Sequence, residues 1–170
     1  FCFIAAASIG AIVVPMNAWW TAEELEYGVE DSGAKLVVVD PERAQRMLGF
    51  VDRLGLTLLG VGNFSALDTA LLKGQKIEIA DVMTLAAEFV GSDMPQVDIG
   101  ADEDATIMYT SGSTGHPKGA VSTHRAIIAA MFSWLLLGNA GNVAAGPSEK
   151  DPNEVSYPPC ALMTVPLFHA

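Results

Sequence analysis

Charge is scarce in this chain, and positive charge scarcer still. Only 17% of the 170 residues are charged, and 9 Lys and Arg stand against 20 Asp and Glu, a formal net charge of −11. Nucleic-acid phosphates are bound by clustered Lys and Arg, so this balance argues against a nucleic-acid partner. The charge is spread along the chain and acts mainly on solubility. Cysteine is almost absent. Cys2 and Cys160 lie far apart and form neither metal-ligand spacing nor a disulfide framework. A reducing, cytoplasmic setting is the default expectation. An initiator Met is missing too. The chain opens Phe1-Cys2-Phe3-Ile4 and stops at Leu167-Phe168-His169-Ala170, in an apolar segment. Natural termini are usually polar and exposed, so both ends are expected to be cuts in a longer chain. The apolar stretch 1–16 has no basic residue before it, is interrupted by Gly10 and Pro15, and is short for a membrane span. Neither a signal peptide nor a transmembrane segment is expected. A buried helix followed by a buried strand is.

What the chain has in plenty is apolar residues, 51% of the total. The length suffices for one domain with a real core. The apolar surplus suits an α/β fold with strands buried on both faces, or a surface that packs against chain outside these residues.

The first 62 residues alternate between two periods. A short apolar run at 11–14 reads as a strand. Thr21-Ala22-Glu23-Glu24 reads as a capping box: the Thr21 hydroxyl can accept from the Glu24 N–H, and Glu24 can reach back. The helix that follows carries Leu25 and Val29 one turn apart and is expected to end near Gly33. Residues 35–39 are β-branched and short, so a buried strand. Asp40-Pro41 opens a second helix as N-cap and first-turn proline, with Ala44, Met47, Leu48, Val51 and Leu54 on one face. Residues 56–61 read as another strand. This β-α-β-α-β order with short loops argues an α/β fold built on a parallel sheet. Further on, a strand is expected at 77–79, a helix at 82–90 capped by Asp81, strands at 105–109 and 120–122, and a helix capped by Thr123. A Gly-, Pro- and Asn-rich stretch at 138–159 reads as a surface loop, and 162–166 as a last strand.

The chemistry concentrates in Thr110-Ser111-Gly112-Ser113-Thr114-Gly115-His116-Pro117-Lys118-Gly119, directly after a strand. Glycines let the backbone approach a ligand closely. Consecutive backbone N–H groups in such a turn make an anion-binding nest. Hydroxyls donate to phosphate oxygens, and Lys118 adds a point charge. Holding a triphosphate requires this set. The segment is not the G-x-x-x-x-G-K-[ST] P-loop. Counted from Gly112, Pro117 stands at the second glycine position, and Gly119 replaces the Ser or Thr that would bind Mg²⁺.

The stretch from Tyr109 to Gly119 resembles the signature loop of the adenylate-forming superfamily, which includes acyl-CoA synthetases, coumarate-CoA ligase-like enzymes, beetle luciferases and peptide-synthetase adenylation domains. Every signature position from Ile107 to Lys118 is filled acceptably. Residues 11–40 resemble the family's early segment, and Pro166-Leu167-Phe168-His169 resembles its later Pro-x-Phe-His motif. The likeness is weakest between residues 55 and 100. The 138–159 stretch resembles that of some bacterial fatty-acid-CoA ligases.

The resemblance implies part of the large AMP-binding N-terminal domain: a mostly parallel sheet layered with helices. It implies two-step chemistry with ATP, Mg²⁺ and coenzyme A. A small-molecule carboxylate, first of all a fatty acid, becomes an acyl-adenylate and then a thioester. Aryl acids and amino acids are the other family substrates. It implies that Thr110, Ser111, Gly112, Ser113, Thr114 and Gly115 cradle the β- and γ-phosphates. Lys118 would support the loop or touch phosphate, and His169 would line the substrate pocket. The family's aromatic-Gly-x-Thr-Glu motif, ribose-binding Asp and C-terminal domain with its adenylation Lys have no counterpart in these residues. No catalytic residue or metal ligand is therefore assigned, and the 170-residue chain alone is expected to be inactive. A P-loop-like NTPase or phosphotransferase and a non-catalytic nucleotide-binding remnant are the competing readings. His116 and His124 read as a loop residue and a first-turn helix residue. Trp19 and Trp20 read as packing.

Overall fold

The computed structural model describes residues 1–64, 79–110 and 116–145, with the backbone alone at 142 and 145. The chain starts with helix α1, Cys2–Ser8. Its expected burial does not occur: α1 buries no residue, and Phe3 and Ile4 are exposed. The strand expected at 11–14 shrinks to one parallel bridge between Val13 and Thr106. Pro15 has no N–H with which to extend that ladder.

Helix α2, Ala22–Ser32, starts as the sequence dictates. The Glu24 N–H donates to the Thr21 hydroxyl at 3.3 Å, and the Thr21 N–H donates to the Glu24 carboxylate at 2.8 Å. The helix ends at Gly33 in the left-handed region, φ 68°. Leu25, Gly28 and Val29 form its buried face, at the i, i+3, i+4 spacing that one helix face requires.

Strand β1, Leu36–Val39, leads into α3, Pro41–Met47, through Asp40, whose carboxylate accepts from the Arg43 N–H at 2.9 Å. The single helix expected from Pro41 onward is in fact two. After α3 the chain turns at Gly49, the Phe50 N–H reaches back to the Met47 carbonyl at 3.0 Å, and α4 runs Val51–Leu54. Glycine is the poorest helix former short of proline. The apolar face survives the break, since Ala44, Met47, Leu48 and Val51 are all buried.

Strand β2, Thr57–Gly60, lies parallel to β1 with Val37 opposite Leu58. Strand β3, Ile79–Asp81, lies parallel to β2 with Leu58 opposite Ile79, so the sheet order is β1-β2-β3. The Asp81 carboxylate then accepts from the Thr84 N–H at 2.7 Å and starts α5, Val82–Glu88. That hydrogen bond holds the Asp81 carboxyl below its ordinary range.

The core fills the space between this sheet and helices α2 and α3. It comprises Trp20, Leu25, Val29, Val39, Ala44, Met47, Phe50, Val51 and Leu58. Each large side chain there contributes about 1.5–3 kcal/mol by leaving water. Arg43 and Arg46 of α3 tie down the segment carrying Trp20: Arg43 Nε donates to the Ala18 carbonyl at 3.0 Å and Arg46 Nη1 to the Trp20 carbonyl at 2.8 Å. The full burial expected for β1 is not reached. Val39 is buried, but Leu36 and Val38 are exposed, because only one face of the strand meets the core.

A second sheet stands beside the first. Strand β4, Asp104–Thr110, and strand β5, Lys118–Thr123, are antiparallel. Helix α6, His124–Ala145, follows at once, with the Ala126 N–H donating to the Thr123 hydroxyl at 3.2 Å. The surface loop expected at 138–159 does not begin at 138: α6 continues through Gly138 and Gly141 to Ala145. A glycine inside a helix costs about 1 kcal/mol relative to alanine, and the Leu and Ala residues around these two offset it. Residues 146–159 and the strand expected at 162–166 lie outside the described residues. Among the described residues no helix is long and apolar enough to cross a membrane.

Candidate phosphate-binding site

The Gly/Ser/Thr segment links β4 to β5 in the chain. Thr110 and Lys118 face each other as the last strand pair of the β4–β5 hairpin, and the Thr110 hydroxyl lies 3.5 Å from the Lys118 carbonyl, to which it donates. Both side chains are exposed. Among the described residues no carboxylate pairs with the Lys118 ammonium, which leaves its charge open to an anion. Ser111, Gly112, Ser113, Thr114 and Gly115 lie outside the described residues, as does His169. Of the expected site residues, the structure thus brings Thr110 and Lys118 together. A strand follows Lys118, whereas a P-loop requires a helix to begin there. That order weighs against the P-loop reading.

The hairpin is held from below by α2. On the upstream arm, the Tyr109 ring packs edge-on against Trp20, with centroids 5.6 Å apart and planes at 72°. The Tyr109 hydroxyl donates to Asp31 Oδ2 at 2.6 Å, and the Gly28 carbonyl lies 3.4 Å away. Burial, followed by the hydrogen bond to the Asp31 carboxylate, pushes the Tyr109 phenol well above its ordinary range. It is a donor throughout the physiological pH range. On the downstream arm, His116 stacks on Tyr27 with centroids 4.6 Å apart and planes at 24°. The Tyr27 hydroxyl donates to the Pro117 carbonyl at 3.3 Å.

Two glycines permit these approaches. A Cβ on Gly28 would meet the Trp20 ring at 2.6 Å, so only glycine lets α2 lie so close to the indole. A Cβ on Gly119 would meet Ile107 Cγ2 at 2.6 Å and the Tyr109 ring at 3.4 Å, so Gly119 keeps room across the strand pair for Tyr109.

Tyr27 and Asp31 were not among the residues the sequence singled out. Their partners lie 90 and 78 positions away, and nothing in the local pattern of α2 marks them. Trp20 is packing, as expected, and is buried, whereas Trp19 is 71% exposed. His124 stands in the first turn of α6, as expected. Among the described residues no three His, Cys, Asp or Glu side chains gather to hold a metal ion.

The AMP-binding enzyme family matches residues 1–170. The long-chain-fatty-acid–CoA ligase FadD13 of Mycobacterium tuberculosis is 32% identical over 179 aligned residues, covering 99% of this chain and 28% of that protein. A 2-succinylbenzoate–CoA ligase of a Geobacillus species is 32% identical over 168 residues, covering 99% of this chain and 26% of that protein. The chain thus spans little more than a quarter of the length of these relatives. Among solved structures, the A domain of carboxylic acid reductase from Segniliparus rugosus, in complex with AMP and a co-purified carboxylic acid, superposes with a TM-score of 0.59 at 20% identity. The superposition covers 72% of this chain and 22% of that one. It supports the fold.

Proposed function

Since the chain belongs to the AMP-binding enzyme family, we propose that the protein carrying it activates a carboxylic acid with ATP and passes the acyl group to a thiol. In the first step a carboxylate oxygen attacks the α-phosphorus. The bond from that phosphorus to the bridging oxygen breaks, and pyrophosphate leaves with the electron pair. In the second step the thiol sulfur of coenzyme A attacks the acyl carbon, the acyl–oxygen bond breaks, and AMP leaves. The thiol proton passes to solvent.

One observation carries the reading: the strands that flank the hydroxyl- and glycine-rich segment end in the pair Thr110 and Lys118, which presents an exposed hydroxyl and an exposed ammonium that no carboxylate among the described residues pairs with. Such a pair suits a polyanion. On this proposal Thr110, Ser111, Gly112, Ser113, Thr114, Gly115 and Lys118 hold the β- and γ-phosphates in line for displacement. Their contribution is positioning and charge stabilisation. His169 borders the acyl pocket on the same proposal. A fatty acid is the proposed substrate class, following the name of the first relative above, and a cytoplasmic setting is part of the reading.

Carboxylate-dependent exchange of labelled pyrophosphate into ATP by the full-length protein tests this. Exchange with fatty acids is the expected result. Exchange with aryl or amino acids alone would keep the mechanism and change the substrate. ADP and orthophosphate in place of AMP and pyrophosphate would replace the reading with a phosphotransferase or NTPase. The 170-residue chain by itself is expected to show no turnover.

A further inference from the structure

Both arms of the phosphate-binding hairpin are fastened to the same helix. Tyr27 and Asp31 are four residues apart on α2, hence on one face. Asp31 takes the upstream arm through the Tyr109 hydroxyl at 2.6 Å, and Tyr27 takes the downstream arm through the His116 ring and the Pro117 carbonyl. A two-stranded hairpin is marginally stable without further support. At its base the β4–β5 pair has such support from Val13, whose backbone bonds to Ala105 and Ile107. Near the tip, α2 is what the described residues supply. That helix is itself fixed, by a capping box at its start and by Leu25, Gly28 and Val29 in the core. The spacing between the two arms is therefore set by a rigid element and not by the hairpin alone.

We propose that Tyr27, His116 and Asp31 are positioning residues for ATP: α2 grips the two arms of the hairpin and fixes the placement of Thr110 and Lys118 before the nucleotide arrives. This rests on the reading of that pair given above. Presetting lowers the ordering cost of binding. Its loss therefore weakens the interaction with ATP and leaves the interaction with the carboxylate alone.

The test uses the full-length protein and measures KM for ATP and for the acid in pyrophosphate exchange, with ATP affinity by titration calorimetry alongside. His116→Ala and Tyr27→Ala each remove the ring stack. They are expected to raise KM and Kd for ATP roughly five- to thirtyfold, with KM for the acid unchanged. Tyr27→Phe keeps the stack and loses only the Pro117 bond, so a smaller rise is expected. His116→Phe restores an aromatic partner and is expected to recover most of the ATP affinity. His116 is exposed, so its variants test the idea even where Tyr27→Ala fails to fold. Unchanged ATP constants in these variants would overturn the inference and leave the ligase reading standing. So would an equal rise in the ATP and acid constants, or the failure of His116→Phe to rescue. If the parent protein binds ATP without exchange and the variants bind it more weakly, the ligase reading fails and the positioning role stands. No binding of ATP by the parent protein would overturn both.

Discussion

Helices α2 and α6 are built on opposite plans. The 11 residues of α2 carry their own instructions: a capping box, acidic residues in the first turn, a left-handed glycine at the end, and one buried face. The 22 residues of α6 begin with a Thr123 cap but have no such division of faces. Met131, Phe132, Trp134, Leu135, Leu136 and Leu137 are all exposed, Trp134 at 77% and Leu136 at 70%. A helix that is apolar all round belongs in an interior. Helix α2 is thus complete within the described residues. Helix α6 is tied at its start to β5 and to residues 101–103, where Arg125 pairs with Asp102, and from Met131 to Leu137 it presents an apolar surface that the described residues leave exposed; contiguous apolar surface of this kind marks a contact site.

Substitutions can sharpen that contrast or break it. The largest effect is expected for Leu25→Ala on the buried face of α2, where about 2–5 kcal/mol should be lost in denaturant unfolding of the 170-residue chain. A loss under about 1 kcal/mol would mean that α2 is not the anchored element described here. Thr21→Ala removes both reciprocal bonds of the capping box and is expected to cost about 1 kcal/mol in the same measurement. Leu136→Ala in α6 is expected to change the stability of the 170-residue chain by no more than about 0.5 kcal/mol, as for other exposed positions. Repeating Leu136→Ala in the full-length protein separates two cases. A loss of about 2–5 kcal/mol there would show that the face is covered by the rest of that protein. An unchanged stability would leave it open to a separate partner.

The elements whose causes are local were legible in the sequence. Thr21 with Glu24, Asp40 with Pro41, Asp81 with Thr84 and Thr123 with Ala126 are each settled within a few residues, and all four helix starts stand where those residues put them. Three glycines depart from the sequence pattern, in opposite directions. Gly49 splits what the apolar spacing presents as one helix, whereas Gly138 and Gly141 do not stop α6. The balance between a glycine and its neighbours is a matter of about 1 kcal/mol, which tertiary contacts can tip either way. Burial was overestimated for α1 and β1, because apolarity shows that a face can be covered and not what covers it. At the site, hydroxyls, glycines and a lysine in one short run were visible. The grip of Tyr27 and Asp31 was not, since a contact between residues 78 to 90 positions apart leaves no periodic trace.

Those long separations also set an order of assembly. Tyr27 leaves the ribosome 90 residues ahead of Pro117. At roughly 5–20 residues per second, the helix waits about 5–18 s before its downstream partner exists. Contacts this distant in sequence close late and slowly, after the entropy of a long loop has been lost. The capping box and core of α2 need only nearby chain, so the helix can form early and hold its shape through the interval. Nascent protein is therefore expected to pass through a stage in which α2 is already folded and the hairpin it will hold has not yet been made.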